Sequence, residues 1–87
     1  MSGEEHLGER LRRLREARGM TRGELAAACT VLGRRTERGE ITRYEEGVYS
    51  PQLPTFAALA RVLGVSMDVL WYGEAEAAWL AWRHEQD

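Results

Sequence analysis

Apolar positions along this 87-residue chain return again and again at helical spacing. Leu7, Leu11 and Leu14 recur at i, i+4 and i+7, which gathers them on one side of a helix. Phe56, Leu59, Ala60 and Leu63 fill the i, i+3, i+4, i+7 template completely, and Ala75, Ala78, Trp79 and Trp82 fill it a second time. Leu25, Ala26, Ala28 and Cys29 make a face of smaller residues. Start and stop signals separate these runs. Ser2-Gly3-Glu4-Glu5 and Thr21-Arg22-Gly23-Glu24 both read as capping boxes, in which a hydroxyl and a carboxylate satisfy amides at a helix start. Gly19, Gly33, Gly47, Gly64 and Gly73 stand where successive helices should stop. Thr36 is the expected N-cap of a third helix carrying Ile41, Tyr44 and Glu45, and Pro51 and Pro54 mark a loop and a helix start. Ser66 should cap a short fifth helix with Met67, Leu70 and Trp71. No alternating run predicts a strand. The pattern predicts an all-α chain of five short helices (residues 1–73) followed by a sixth (residues 74–87).

Composition narrows what such a chain does. Eighty-seven residues make one small core, and no apolar run approaches the roughly 20 residues that span a bilayer. The acidic start, Met1-Ser2-Gly3-Glu4-Glu5, has no apolar stretch of a secretory signal. A lone Cys29 makes no internal disulfide, so a cytoplasmic location is expected, with Cys29 as a small core residue. His6, Cys29 and His84 are scattered, so neither a metal nor a cofactor is expected, and no nucleophile–base set predicts catalysis. The formal charge of −2 conceals an asymmetry. Residues 10–43 hold ten arginines against four glutamates, while residues 44–87 hold two arginines against seven acids. A basic stretch inside an acidic chain points to a surface that meets phosphates.

Several stretches together resemble the Cro/C1-type (XRE) helix-turn-helix regulators. They are Leu11–Thr21, Glu24-Leu25-Ala26, Ile41–Gly47, Ser50-Pro51 and Leu59–Leu70, in order over most of residues 7–73. The resemblance implies a lambda-repressor-like five-helix domain whose third helix, residues 36–46, enters the DNA major groove. It places a small Ala26 where two helices approach closely, uses Ile41 to anchor the recognition helix, and implies an ion pair between Arg15 and Glu45. One departure stands out. Fifteen positions separate Ala26 from Ile41, more than the family's tight turn, and the extra residues fall in Cys29–Thr36. Some actinobacterial members are similar in this respect.

With Ile41 and Tyr44 inward, Glu37, Arg38, Glu40 and Arg43 become candidates for reading bases, the arginines on guanine and the glutamates either on cytosine or as a deterrent to wrong sites by repelling phosphates. Thr21 and Arg22 at a helix start, Thr42, and Ser50 in the following loop are candidates for holding phosphates. Arg34 and Arg35 leave two readings open, a phosphate grip or a solvated loop. Arg10, Arg12 and Arg13 read as a solvated face laced by the pairs Glu9–Arg13 and Arg12–Glu16. Trp71, Trp79 and Trp82 either close the core or form a homodimer interface, and a dimer implies a near-palindromic operator. The leading expectation is therefore a repressor or autoregulator binding double-stranded DNA. The alternative is an antitoxin or adaptor whose tryptophan-rich C-terminal part holds another protein.

Overall fold

The computed structural model describes residues 5–86. The regular elements among them are six helices: α1 (Leu7–Ala17), α2 (Arg22–Val31), α3 (Arg38–Glu45), α4 (Leu53–Leu63), α5 (Met67–Tyr72) and α6 (Glu74–Gln86). Helix α3 packs against α1 and α2, α4 lies against α2 and α5, and α5 connects to both α1 and α6. The expected capping box at Ser2–Glu5 falls largely outside the described residues. Within them, the His6 N–H donates to Glu9 Oε1 at 2.9 Å at the start of α1. The second box forms as read. Thr21 Oγ1 accepts from the Glu24 N–H, and the Thr21 N–H donates back to Glu24 Oε1. Ser66 Oγ likewise accepts from the Val69 N–H.

The core is built from the residues whose spacing announced it. Leu11, Leu25, Cys29, Ile41, Leu59 and Leu70 are all but inaccessible, with Leu14, Tyr44, Phe56 and Leu63 packed around them. Each such Leu or Ile contributes roughly 1.5–3 kcal/mol by leaving water. Burial also pushes the Cys29 thiol up to about 11, so it sits in the core as a neutral group.

Three expectations need correction, and one open alternative narrows. Thr36 does not cap α3; the cap is Glu37, whose N–H donates to Glu40 Oε1 at 2.9 Å, while Thr36 is buried in the turn. Arg10 is not solvated. Its Nη1 donates to the carbonyls of Leu70 (3.1 Å) and Trp71 (2.9 Å), and its Nη2 to that of Glu5, which ties α1 to the end of α5. Arg13 pairs with Glu5 and Glu74 rather than with Glu9, whereas Arg12–Glu16 forms as expected. The apolar stripe of α6 turns away from the domain. Ala75, Ala78, Trp79 and Trp82 are exposed, and the least accessible positions are Ala77 and Leu80.

Two glycines show how closely the helices approach. A Cβ on Gly8 would lie 2.5 Å from the Glu45 carbonyl oxygen, so α1 crosses the end of α3 only because position 8 lacks a side chain. Gly64 ends α4 in the left-handed region at φ 71°, where Arg18 lies against it and donates Nε to the Leu63 carbonyl at 2.9 Å.

Candidate nucleic-acid interface

Helix α3 is fixed from its inner side. Ile41 inserts into the core, Tyr44 packs edge-on against Tyr49 with 5.6 Å between ring centres, and the Glu45 carboxylate is buried beneath two guanidiniums. Arg15 meets Glu45 with both prongs, Nε to Oε2 at 2.6 Å and Nη2 to Oε1 at 3.1 Å. Its Nη1 also donates to the Met20 carbonyl at 2.8 Å, closing the loop after α1. Arg22 donates Nε to the same carboxylate at 3.0 Å. One acid thus clasps α1, α2 and α3 together, and its hydrogen bonds hold the Arg15 guanidinium firmly protonated.

The long turn between α2 and α3 is an ordered knot. The Thr30 hydroxyl lies 3.0 Å from the Ala26 carbonyl and 3.2 Å from that of Thr36, and it accepts the Thr36 N–H at 3.1 Å. Thr36 Oγ1 donates to the Arg34 carbonyl, and the Arg34 N–H returns to the Cys29 carbonyl. Arg34 Nε then donates to Thr55 Oγ1 on α4 at 2.8 Å. The turn is therefore tied both to itself and to the body of the domain.

At about 100° per residue, a helix with Ile41, Tyr44 and Glu45 inward turns Gly39 and Arg43 directly outward. Arg43 is exposed and lies along the helix beside Gly39, 3.3 Å from where a Cβ there would stand. Arg38 lies on one flank. It faces a concavity of about 560 Å³ shared with Arg12, Arg15, Thr21 and Arg22, at the N-terminus of α2. Glu40 lies on the other flank, beside a second hollow of about 440 Å³ with Arg34, Arg35, Ser50 and Gln52. The structure thus groups Thr21, Arg22 and Arg38 on one side of α3 and Glu40, Arg34, Arg35 and Ser50 on the other. Thr42 is half-buried on the helix between Arg38 and Arg43.

Three features temper individual assignments. Glu37 and Glu40 are joined by the capping contact, so the Glu40 carboxylate faces the helix start. Arg22 and Arg34 each hold an intramolecular partner. Burial, with Glu40 and Tyr49 nearby, pushes the Tyr44 phenol above its ordinary range, so its ring serves the core. The pairs Arg22–Glu45 and Arg34–Thr55 carried no signal in the sequence, since neither spacing lies within one helix.

The three tryptophans are not gathered into one cluster. Trp71 meets Phe56 edge-on at 5.6 Å, Trp79 stacks under the Arg83 guanidinium at 5.5 Å, and Trp82 is exposed. Among the described residues no group of histidine, cysteine and acidic side chains is placed to hold a metal ion, and no helix is long and apolar enough to cross a membrane.

Six helices, with the second and third joined by a turn and the third pinned by its inner face, define a helix-turn-helix protein. Residues 6–70 match the family described as helix-turn-helix domain, and the chain belongs to it. Among solved structures, the fold is similar to that of the P22 c2 repressor protein, determined in complex with synthetic operator 9T in the presence of Tl+. The two are 22% identical, with a TM-score of 0.73 over 82% of this chain and 100% of the repressor chain. No curated protein matches the sequence.

Proposed function

We propose that this chain is a transcriptional regulator, a repressor or autoregulator, that binds double-stranded DNA by placing α3 in the major groove. The observation that carries this reading is the division of α3 into a locked inner face and an outer face presenting Arg43, with Arg38 at its flank. Arg38 and Arg43 read guanine edges, and Glu37 and Glu40 favour cytosine or exclude other bases at the edge of the contact. Thr21, Arg22 and the amides opening α2 hold one phosphate strand. Arg34, Arg35, Thr42 and Ser50 hold the other side. Two copies paired through Trp71, Trp79 and Trp82 set their recognition helices about one DNA turn, roughly 34 Å, apart and bind a near-palindromic operator in the cytoplasm. The likeness in fold to a repressor solved on its operator supports this reading.

Selection of bound sequences from random duplex DNA tests function, specificity and symmetry together. A compact, two-fold symmetric motif is expected. Arg38→Ala and Arg43→Ala should each cost roughly 1–3 kcal/mol of specific binding and relax preference at separate positions. No enriched motif would refute the reading. The exposed tryptophans of α6 favour a second function, that of an antitoxin or adaptor holding another protein. Co-purification with a small unrelated protein, together with no discrete footprint by the chain alone, would establish it instead.

A further inference from the structure

We infer that the apolar groove between α4 and α5 receives helix α6 of a second copy of this chain, and that two copies exchange these helices reciprocally. The inference rests on the paired-copy reading above and names the two halves of its interface. The groove has a volume of about 450 Å³ and is walled by Leu53, Phe56, Met67, Trp71 and Tyr72, with Asp68 at its rim. Leu53 is 68% exposed and Trp71 52%, far more than a finished core leaves open.

Helix α6 supplies the matching shape. It has no buried residue among those described, and it rests on α5 by the side bearing Ala77 and Leu80. Its opposite side carries Trp79, 47% exposed, and Trp82, 57% exposed, with the Arg83 guanidinium lying over the Trp79 ring. Neither tryptophan lines the groove of its own chain. At the root of α6, Glu74 pairs with Arg13 of α1 at 2.8 Å.

Charge makes the match specific. The groove is apolar with the Asp68 carboxylate at its edge, and the ridge carries Arg83 at its C-terminal end and Glu76 toward its start, so Arg83 of one protomer meets Asp68 of its partner while Glu76 stays at the solvated margin. Two-fold symmetry doubles every contact. Two half-exposed tryptophans and a groove wall on each side then bury on the order of 1,000 Å² in all, the lower bound for a stable interface. In this arrangement Trp71 belongs to the receiving groove, while Trp79 and Trp82 are the inserted ridge.

The test is a charge exchange between chains, read by analytical ultracentrifugation of the full chain with circular dichroism confirming the fold. Asp68→Arg places a cation opposite Arg83, and Arg83→Asp places an anion opposite Asp68. Each variant alone should dimerise about tenfold or more weakly than the parent. Mixing the two variants should restore dimers, because in the mixed pair every ridge meets a groove of opposite charge. A monomeric parent protein would overturn the exchange, as would a parent dimer indifferent to both substitutions or unrescued by mixing. Selection of bound DNA separates this from the functional reading. A monomer that still enriches a half-site would refute only the exchange, and a charge-rescued dimer that enriches no sequence would refute only DNA recognition.

Discussion

Glu45→Gln removes one negative charge from a place where two guanidiniums converge, while changing almost nothing in shape. The Glu45 side chain is 1% exposed and that of Arg15 is 9% exposed, so neither is rescued by water. Three N–H donors point at the carboxylate, two of them from Arg15. Removing the charge leaves the buried Arg15 with only the exposed Glu16 carboxylate, 4.0 Å from its Nη2, as a distant and solvent-screened counter-ion. Loss of one partner from such a pair costs about 3–5 kcal/mol, and an amide that still accepts one hydrogen bond places this variant near 3. A chain of this length has a total stability of about 5–13 kcal/mol, so that loss is a large share of it. It lowers Tm by about 12–24 °C. Urea titration followed by circular dichroism measures the change directly. Arg22→Ala is the milder comparison, because Arg22 is 30% exposed and Glu45 keeps both hydrogen bonds from Arg15, so a loss of about 1.5 kcal/mol, smaller than that of Glu45→Gln, is expected. The double replacement Arg15→Met with Glu45→Leu should be more stable than either single replacement, since two apolar side chains leave no stranded charge. A loss below about 1 kcal/mol in Glu45→Gln would show that the carboxylate is not desolvated, and the account of how α3 is fixed would fail.

Two further predictions concern the edges of the site. Arg13 holds the Glu5 and Glu74 carboxyls below their ordinary 4.5, chiefly through its hydrogen bonds to each. Their contribution is therefore complete above the unfolded value and is lost as pH falls through the lower folded values. Between pH of about 6 and 3 the parent should lose more stability than Arg13→Ala, by a small and salt-sensitive amount because Arg13 and Glu74 are largely exposed. Parallel pH profiles would show that the clasp adds nothing. In the long turn, Thr30→Val keeps the shape but removes the hydroxyl shared by Ala26 and Thr36. Amide exchange across residues 30–37 should quicken and specific DNA binding should weaken, at a global cost of about 1–2 kcal/mol, with Thr30→Ser restoring all three. Unchanged exchange in Thr30→Val would mean the turn is held by something else.

Helix positions were legible because their signals are local. Thr21 with Glu24, and Ser66 with Val69, cap whatever helix follows them, and the leucine spacing of α1 and α4 needs only one helix to be read. The misplacements share a cause, which is that tertiary contacts settle what a local signal leaves open. Thr36 has the chemistry of a cap, yet its hydroxyl is taken by the Arg34 carbonyl and its amide by Thr30. The stripe of α6 is real, but spacing says only that an apolar face exists, not what covers it. Arg10 was readable in principle. It stands three residues after Leu7 and four before Leu14, inside the buried stripe, and charge alone argued it onto the surface. Gly8, Leu11 and Arg15 form a second row of the same kind, with Gly8 against α3 and Arg15 on Glu45. Neither Arg34–Thr55 nor Arg22–Glu45 had a local signal, since each joins elements about twenty residues apart.

Most of the ten arginines in residues 10–43, whose charge pointed toward nucleic acid, serve the fold instead. Arg10, Arg18 and Arg34 reach carbonyls or a hydroxyl on distant helices, Arg15 and Arg22 share Glu45, and Arg12 and Arg13 pair with acids. Among the described residues, Arg35, Arg38 and Arg43 have no such partner, and all three stand at or beside α3. The local excess of arginine in residues 10–43 therefore overstated how many cations face outward. The exclusive use of arginine also gains a structural reason. A fork that meets Glu45 with two nitrogens while a third reaches the Met20 carbonyl, or that reaches the Leu70 and Trp71 carbonyls through one nitrogen and the Glu5 carbonyl through another, needs a planar guanidinium and not a single ammonium point. With so few outward cations on one protomer, non-specific attraction to DNA is weak. On the proposed function, tight binding depends on base reading by α3 and on a second copy doubling the contact, so substitutions in the groove and the tryptophan ridge should weaken it as substitutions on α3 do.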